Sequence, residues 1–108
     1  MPFIGAKEQS ITAKTQADGA QEINLLAADS AMIHQIQVEV SAAPAAGVLQ
    51  VECKTTGASG YVQLSDTINL TAIRLYLIQG IIESIRVTPV GFDGDKSYSV
   101  YVASAGLQ

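Results

Sequence analysis

The chain has 108 residues, 48% of them apolar, with six Lys/Arg against ten Asp/Glu and one cysteine. That length fits one folding unit with one core, the apolar fraction excludes intrinsic disorder, and a lone cysteine excludes an internal disulfide framework. No apolar run nears the ~20 residues of a membrane-spanning helix, and a formal charge of −4 gives no general attraction to nucleic acid or anionic lipid.

The opening Met1-Pro2-Phe3-Ile4-Gly5-Ala6-Lys7-Glu8 lacks the basic segment and apolar stretch of a secretion signal, and Pro2 excludes a myristoylation start. Synthesis in a cytosol is the expectation. Residues 1–12 are expected to form a flexible N-terminal arm that orders on a partner, and residues 13–108 a single β-sandwich domain. Strands over 9–16 and 21–27 would flank the turn Ala17-Asp18-Gly19.

Alternation is cleanest from Met32 to Val40. Ile36, Val38 and Val40 fall on one face, and Gln35, Gln37 and Glu39 on the other, a period of two that a helix would scatter. Pro44 and Gly47 punctuate the loop 41–47. Residues 48–54 resume the alternation with Leu49, Val51 and Cys53 inward, so the two runs read as a hairpin. A turn-rich joint at 55–60 precedes a short strand over 61–64 and a further run over 67–71. Residues 69–79 hold two readings. Leu70, Ile73 and Leu77 stand at helical spacing, capped by Asn69 and stopped by Gly80. Ile73, Leu75 and Leu77 also alternate, and the β-branched and aromatic content favours a strand, which the tight turn Gln79-Gly80 would join to 82–88. Pro89 belongs at a strand end or edge. Asp93-Gly94 turns the chain into the last strand, 97–102, with Tyr98, Val100 and Val102 on one face and Ser99 and Tyr101 on the other.

The sum is about eight short strands: an all-β, compact antiparallel β-sandwich or jelly-roll-like barrel. Solvent-facing positions carry Gln, Ser and Thr with hardly any Lys, the residue that commonly guards sheet edges, so the edges are open to pairing.

His34 shares the phase of Ile36 and Val38 and reads as a packed histidine; at a subunit contact, its protonation would tune that contact near about pH 6. A metal site needs several converging ligands, and one imidazole and one thiol do not supply them. Cys53 reads as a small buried hydrophobe rather than a nucleophile. Asp93-Gly94-Asp95 begins like a calcium loop but lacks the closing bidentate carboxylate, so a turn with solvated carboxylates is expected. Asn69-Leu70-Thr71 matches the glycosylation triplet, which needs a secreted context to be used. Arg74 and Arg86, on neighbouring strands, would pair with Glu83 and Glu52 or straddle an interface. There is no phosphate loop, nucleophile elbow or pair of catalytic carboxylates. The reading is therefore of a protein that is not an enzyme, with no catalytic residue, metal or cofactor.

Ser84-Ile85-Arg86-Val87-Thr88-Pro89, then Asp93-Gly94 and Tyr98-Ser99-Val100-Tyr101, resemble the C-terminal part of small structural proteins of tailed bacteriophages: an Ile-Arg-Val strand, a Gly-bearing turn and a closing Tyr-rich strand. The resemblance spans residues 61–103. It implies a β-sandwich or jelly roll that is made in the host cytoplasm and oligomerises on the virion as a capsid decoration, neck, tail or baseplate part. The implied partners are further copies of the chain and other virion structural proteins, with no catalytic residues. Expected contact residues are Phe3 and Ile4 in the arm, Pro44 in the 41–47 loop, Asp93 and Asp95 in the 91–96 loop, and Tyr61, Tyr76 and Tyr101 on the sheets. The rival reading is a carbohydrate-binding or receptor-recognising module holding a glycan on Tyr61, Tyr76 or Tyr101.

Overall fold

A computed structural model describes residues 3–25, 33–72 and 75–107. Period-two alternation becomes eight strands: β1 Phe3–Lys14, β2 Gln21–Asn24, β3 Ile33–Val40, β4 Val48–Thr55, β5 Val62–Asn69, β6 Leu75–Gln79, β7 Ile82–Val90 and β8 Tyr98–Leu107. They form two four-stranded antiparallel sheets, in the orders β1-β8-β3-β6 and β2-β7-β4-β5. Strand pairs nest from the outside of the chain inward: β1 with β8, β2 with β7, β3 with β6, β4 with β5. That nesting is the winding of a jelly roll, laid out as two open sheets; neither closes into a barrel.

The inward rows explain why the sheets stack. Ile36 and Val38 of β3, Val100 and Val102 of β8 and Ile78 of β6 meet Leu49 and Val51 of β4, Ile85 and Val87 of β7, Ile23 of β2 and Ile68 of β5, all buried. Each such side chain removed from water contributes about 1.5–3 kcal/mol. Tyr98 lies in the same layer, edge-on to Phe92 at 5.9 Å between ring centroids. Its hydroxyl is buried with no hydrogen-bond partner among the described residues. Burial, reinforced by the charge of Asp18, pushes its pKa up to about 12. An orphaned buried hydroxyl costs about 1–3 kcal/mol. Tyr98→Phe is therefore expected to stabilise the fold, raising the thermal midpoint by about 4–8 °C per kcal/mol recovered; a lowered midpoint would show that the hydroxyl has a partner in solution.

Several expectations are corrected here. β3 and β4 are not a hairpin: β3 lies between β8 and β6, β4 between β7 and β5, and the loop 41–47 crosses from one sheet to the other. Alternation tells which residues face a core but not which layer they belong to, and the ~10 Å between stacked sheets is easily bridged by such a loop. The turn at Gln79-Gly80 likewise crosses between sheets instead of closing a hairpin. The runs over 61–64 and 67–71 are one strand, β5, with a register shift opposite Gln50 and Glu52. Within 69–79, the chain turns at Leu70–Ala72, where the Asn69 side chain accepts from the Thr71 amide at 2.9 Å, and then forms strand β6. The phase of β6 is the surprise. Ile78 is buried and Tyr76 half-buried, whereas Leu75 and Leu77 are exposed. Ile73 and Arg74, and the end of the expected strand at 26–27, lie outside the described residues. The expected arm is not among these corrections: its residues 3–12 run along β1, with Phe3 opposite Leu107 and Ile4 opposite Gly106, and its order apart from a partner is a matter for experiment.

Candidate functional site

The two outer faces differ in chemistry. On β2-β7-β4 the register sets Glu22, Arg86 and Glu52 side by side on one rung. Arg86 donates to both Glu52 oxygens, at 3.0 and 2.9 Å, and Lys54 meets Glu83 at 2.8 Å. Tyr61 lies under both cations, 4.3 Å from the Arg86 guanidinium and 5.5 Å from Lys54 Nζ. Its hydroxyl donates to Glu22 at 2.9 Å and contacts Ser84 Oγ at 2.8 Å, helping to bury Ser84. The Arg86 hydrogen bonds hold Glu52 below the usual carboxylate range, and those of Glu52 raise Arg86 in turn. Solvent-screened pairs of this kind contribute little to stability. What matters is that these charges already hold one another, and Tyr61 is committed among them.

The outer face of β1-β8-β3-β6 is the opposite case. Register builds one rung of Ser10, Tyr101, Gln37 and Leu75, and a second of Glu8, Ala103, Gln35 and Leu77. Along β8, β3 and β6 these two rungs carry no charge, with Glu8 of β1 at the end of the second and Glu39 on the neighbouring rung opposite Ser99; Leu75, Leu77 and Tyr101 stand 54%, 56% and 40% exposed. Between β1, β8 and β3 lies a shallow groove of about 520 Å³ lined by Gln9, Ser10, Gln35, Gln37, Tyr101, Val102 and Ala103.

At the end of the sandwich where β1, β3, β5 and β7 finish, the connecting loops are stitched together. The Asp93 carboxylate accepts from the amides of Ala45 and Ala46, at 2.9 and 3.3 Å, and meets Lys96 Nζ at 3.3 Å. Gln16 donates to the Pro89 carbonyl and accepts from the Phe92 amide, both at 2.9 Å. The Pro44 loop and the 91–96 loop are thus brought into one surface. Asp95 is solvated as expected; Asp93 is not the solvated turn residue expected, because it is spent on the neighbouring loop. No group of three His, Cys, Asp or Glu among the described residues is placed to hold a metal ion.

The Ala45 amide first, with Lys96 and the Ala46 amide adding to it, holds Asp93 below the usual carboxylate range against a smaller opposing effect of burial. A carboxyl with a depressed folded-state pKa stabilises above its unfolded value of about 3.9 and loses that contribution as pH falls through the folded value. Urea unfolding followed from neutral pH into acid should show this loss in the wild type and a shallower one in Asp93→Asn. Identical acid profiles would remove the assignment.

His34 is fully buried, so it does not lie at a subunit contact. Its Nε2 faces the Gly80 carbonyl at 3.0 Å, an acceptor, and therefore carries the proton; Nδ1 then accepts from the Ser104 hydroxyl at 2.7 Å. This Ser–His pair is sealed in the interior, where no substrate reaches it. Cys53 is half-buried against the core, and burial pushes its thiol up, away from nucleophile chemistry. Tyr76 packs at the core margin, while Tyr61 and Tyr101 occupy opposite outer faces. Arg86 pairs with Glu52 as expected, and Glu83 is taken by Lys54. The rungs of Gln35, Gln37, Leu75 and Leu77 escaped the sequence reading. Alternation marked the glutamines as outward, but only register shows which leucines stand beside them.

No protein-family description matches the sequence, and no curated protein matches it. The fold, by contrast, has counterparts. It aligns with the SPBc2 prophage-derived protein YomS over 98% of this chain and 99% of that one, with a TM-score of 0.62 and 9% identity. FLHE aligns over 96% and 97% of the two chains, with a TM-score of 0.55 and 13% identity. Pseudomonas aeruginosa AlgX aligns over 92% of this chain but 26% of its own, with a TM-score of 0.54 and 11% identity. At such identities the likeness is one of fold.

Proposed function

We propose that this protein is a non-enzymatic virion structural component: a homo-oligomeric accessory part of capsid, neck, tail or baseplate that binds a larger protein assembly after synthesis in the host cytoplasm. The observation that carries the reading is the division of charge between the outer faces. One face has its charges paired among themselves around Tyr61, while on the other β8, β3 and β6 set Tyr101, Gln35, Gln37, Leu75 and Leu77 side by side with no charge between them, a stretch that sheds water cheaply. The bacteriophage association draws on the resemblance over residues 61–103, and the end-to-end likeness in fold to a prophage-derived protein supports it. Repeated copies on a symmetric lattice turn weak single contacts into firm attachment. Further contacts to neighbours come from residues 1–12, with Phe3 and Ile4, and from the stitched loop surface, with Pro44 and Asp95.

Light scattering on the purified chain tests this reading. A mass of several copies is expected, and a clean monomer at high concentration would overturn it. Limited proteolysis addresses residues 1–12: cleavage there in the isolated protein, with protection in the assembly, supports the partner-ordered arm. Protection in the isolated protein makes that segment a fixed part of the sheet.

A second reading rests on the groove. Tyr101 stands there among Ser10, Gln35 and Gln37, an aromatic face beside uncharged hydrogen-bonding groups, as a neutral glycan requires. Titration with a neutral oligosaccharide should then shift the resonances of the Tyr101 rung and fail to do so in Tyr101→Ala; silence in the wild type removes it.

A further inference from the structure

The outer strand of a sheet presents unpaired N–H and C=O groups that template another strand, and folded proteins blunt such edges with bulges, charges, proline or shortness. The four outer strands here are not equally blunted. β1 shows register shifts against β8 between Ile4 and Lys7 and between Ile11 and Lys14, has Ala13 at φ 54°, and carries Lys7, Glu8 and Lys14. β5 shows a register shift against β4 and carries Asp66. β2 runs for four residues and carries Glu22, already held by Tyr61. β6 keeps unbroken register with β3 and contains no charged residue, proline or glycine. Its Leu75 and Leu77 are exposed, and Ile81, just beyond its end, is 50% exposed.

We propose that the β6 edge is where two copies of this chain meet, β6 against β6 antiparallel across a two-fold axis, so that their sheets continue into one. This rests on the assembly reading above and names its surface and partner. Charge and symmetry select a second copy as the occupant. Each copy carries a net charge of −4, so two copies repel wherever acids face acids. The β6 edge, flanked by Gln35 and Gln37 across the strand pair, brings no acid to the contact. Antiparallel pairing is self-complementary about a two-fold. With the axis at Tyr76, Leu75 of each copy stands opposite Leu77 of the other, about 5 Å apart, and four leucines form one apolar patch. A strand so short hides roughly a few hundred Å² per copy, against about 800 Å² in a standard interface, so the contact is weak by itself and gains from repetition.

Sedimentation equilibrium of the full chain over a wide concentration range, wild type against Leu77→Lys, tests the proposal. The wild type should contain an even number of copies. Leu77→Lys should raise the dissociation constant of the pair by about tenfold or more, with an unchanged thermal midpoint at concentrations where both proteins are single copies, since Leu77 is exposed there. Leu75→Lys serves the same purpose should the first variant fold poorly. Hydrogen exchange at residues 75–79 should slow with concentration in the wild type and not in the variants. An odd number of copies, or variants that assemble like wild type, overturns the β6 pairing and leaves the assembly reading standing. A wild type that stays monomeric throughout overturns both.

Discussion

Gly47→Ala is expected to destabilise the fold by about 2–5 kcal/mol, combining strain at a left-handed backbone position with overpacking. Gly47 has φ 131°, a conformation L side chains rarely adopt. A methyl group there would stand 2.8 Å from the Cα of Phe92 and 3.0 and 3.1 Å from two atoms of its side chain. Neither party has room to move. The Gly47 carbonyl accepts from the Leu70 amide at 3.0 Å, the Phe92 amide is held by Gln16 at 2.9 Å, and the Phe92 ring stands edge-on to the buried Tyr98. Gly57→Ala is the control: φ is 90° there, but nothing lies within 4 Å of the added methyl. It should cost only the backbone strain, about 1–3 kcal/mol. Urea unfolding of both variants separates the two contributions, and equal losses would show that the approach to Phe92 is slack.

The same region shows what the sequence made legible. Alternation placed Ile36, Val38, Leu49, Val51, Val100 and Val102 in the core because a strand's side chains project to opposite faces whatever its partners. Partners are a different matter. Nothing local in 33–40 and 48–55 distinguishes a hairpin from a crossing between sheets, because both need the same alternation and the same turn residues. β6 shows a second limit. Leu75 and Leu77 alternate with Tyr76 and Ile78, so both phases are apolar, and only pairing with β3 decides that Ile78 goes in. The loop surface could be named in pieces, Pro44 in one loop and Asp93 and Asp95 in another. Its unity comes from Asp93 reaching Ala45, 48 residues away in the chain, a contact no local pattern encodes. Tyr61 and Tyr101 looked equivalent as residues, yet opposite faces give one a set of charges to cover and leave the other beside a groove.

His34→Ala is expected to cost about 3–6 kcal/mol, from the cavity left by a large buried side chain together with the hydrogen-bonding groups it strands. The imidazole is fully buried between β8 and the turn after β6, and it satisfies the Ser104 hydroxyl and the Gly80 carbonyl together. Removing it leaves the Ser104 hydroxyl in the interior and the half-buried Gly80 carbonyl without their partner, whereas Ser104→Ala strands one ring nitrogen and should cost about 1–3 kcal/mol. Because the two residues share a hydrogen bond, the double variant should lose less than the sum, by about 0.5–3 kcal/mol. Strict additivity in urea unfolding would mean that the bond contributes nothing to stability. The same variant separates core from surface. Gln35, the next residue along β3, projects to the opposite side, onto the outer rung it shares with Ala103 and Leu77. His34→Ala that remains folded at low temperature should therefore keep the wild-type assembly mass while its unfolding midpoint falls. A change in mass from so deeply buried a position would instead mean that the outer rungs hold their shape through the Gly80 turn, which His34 ties to Ser104 at the end of β6.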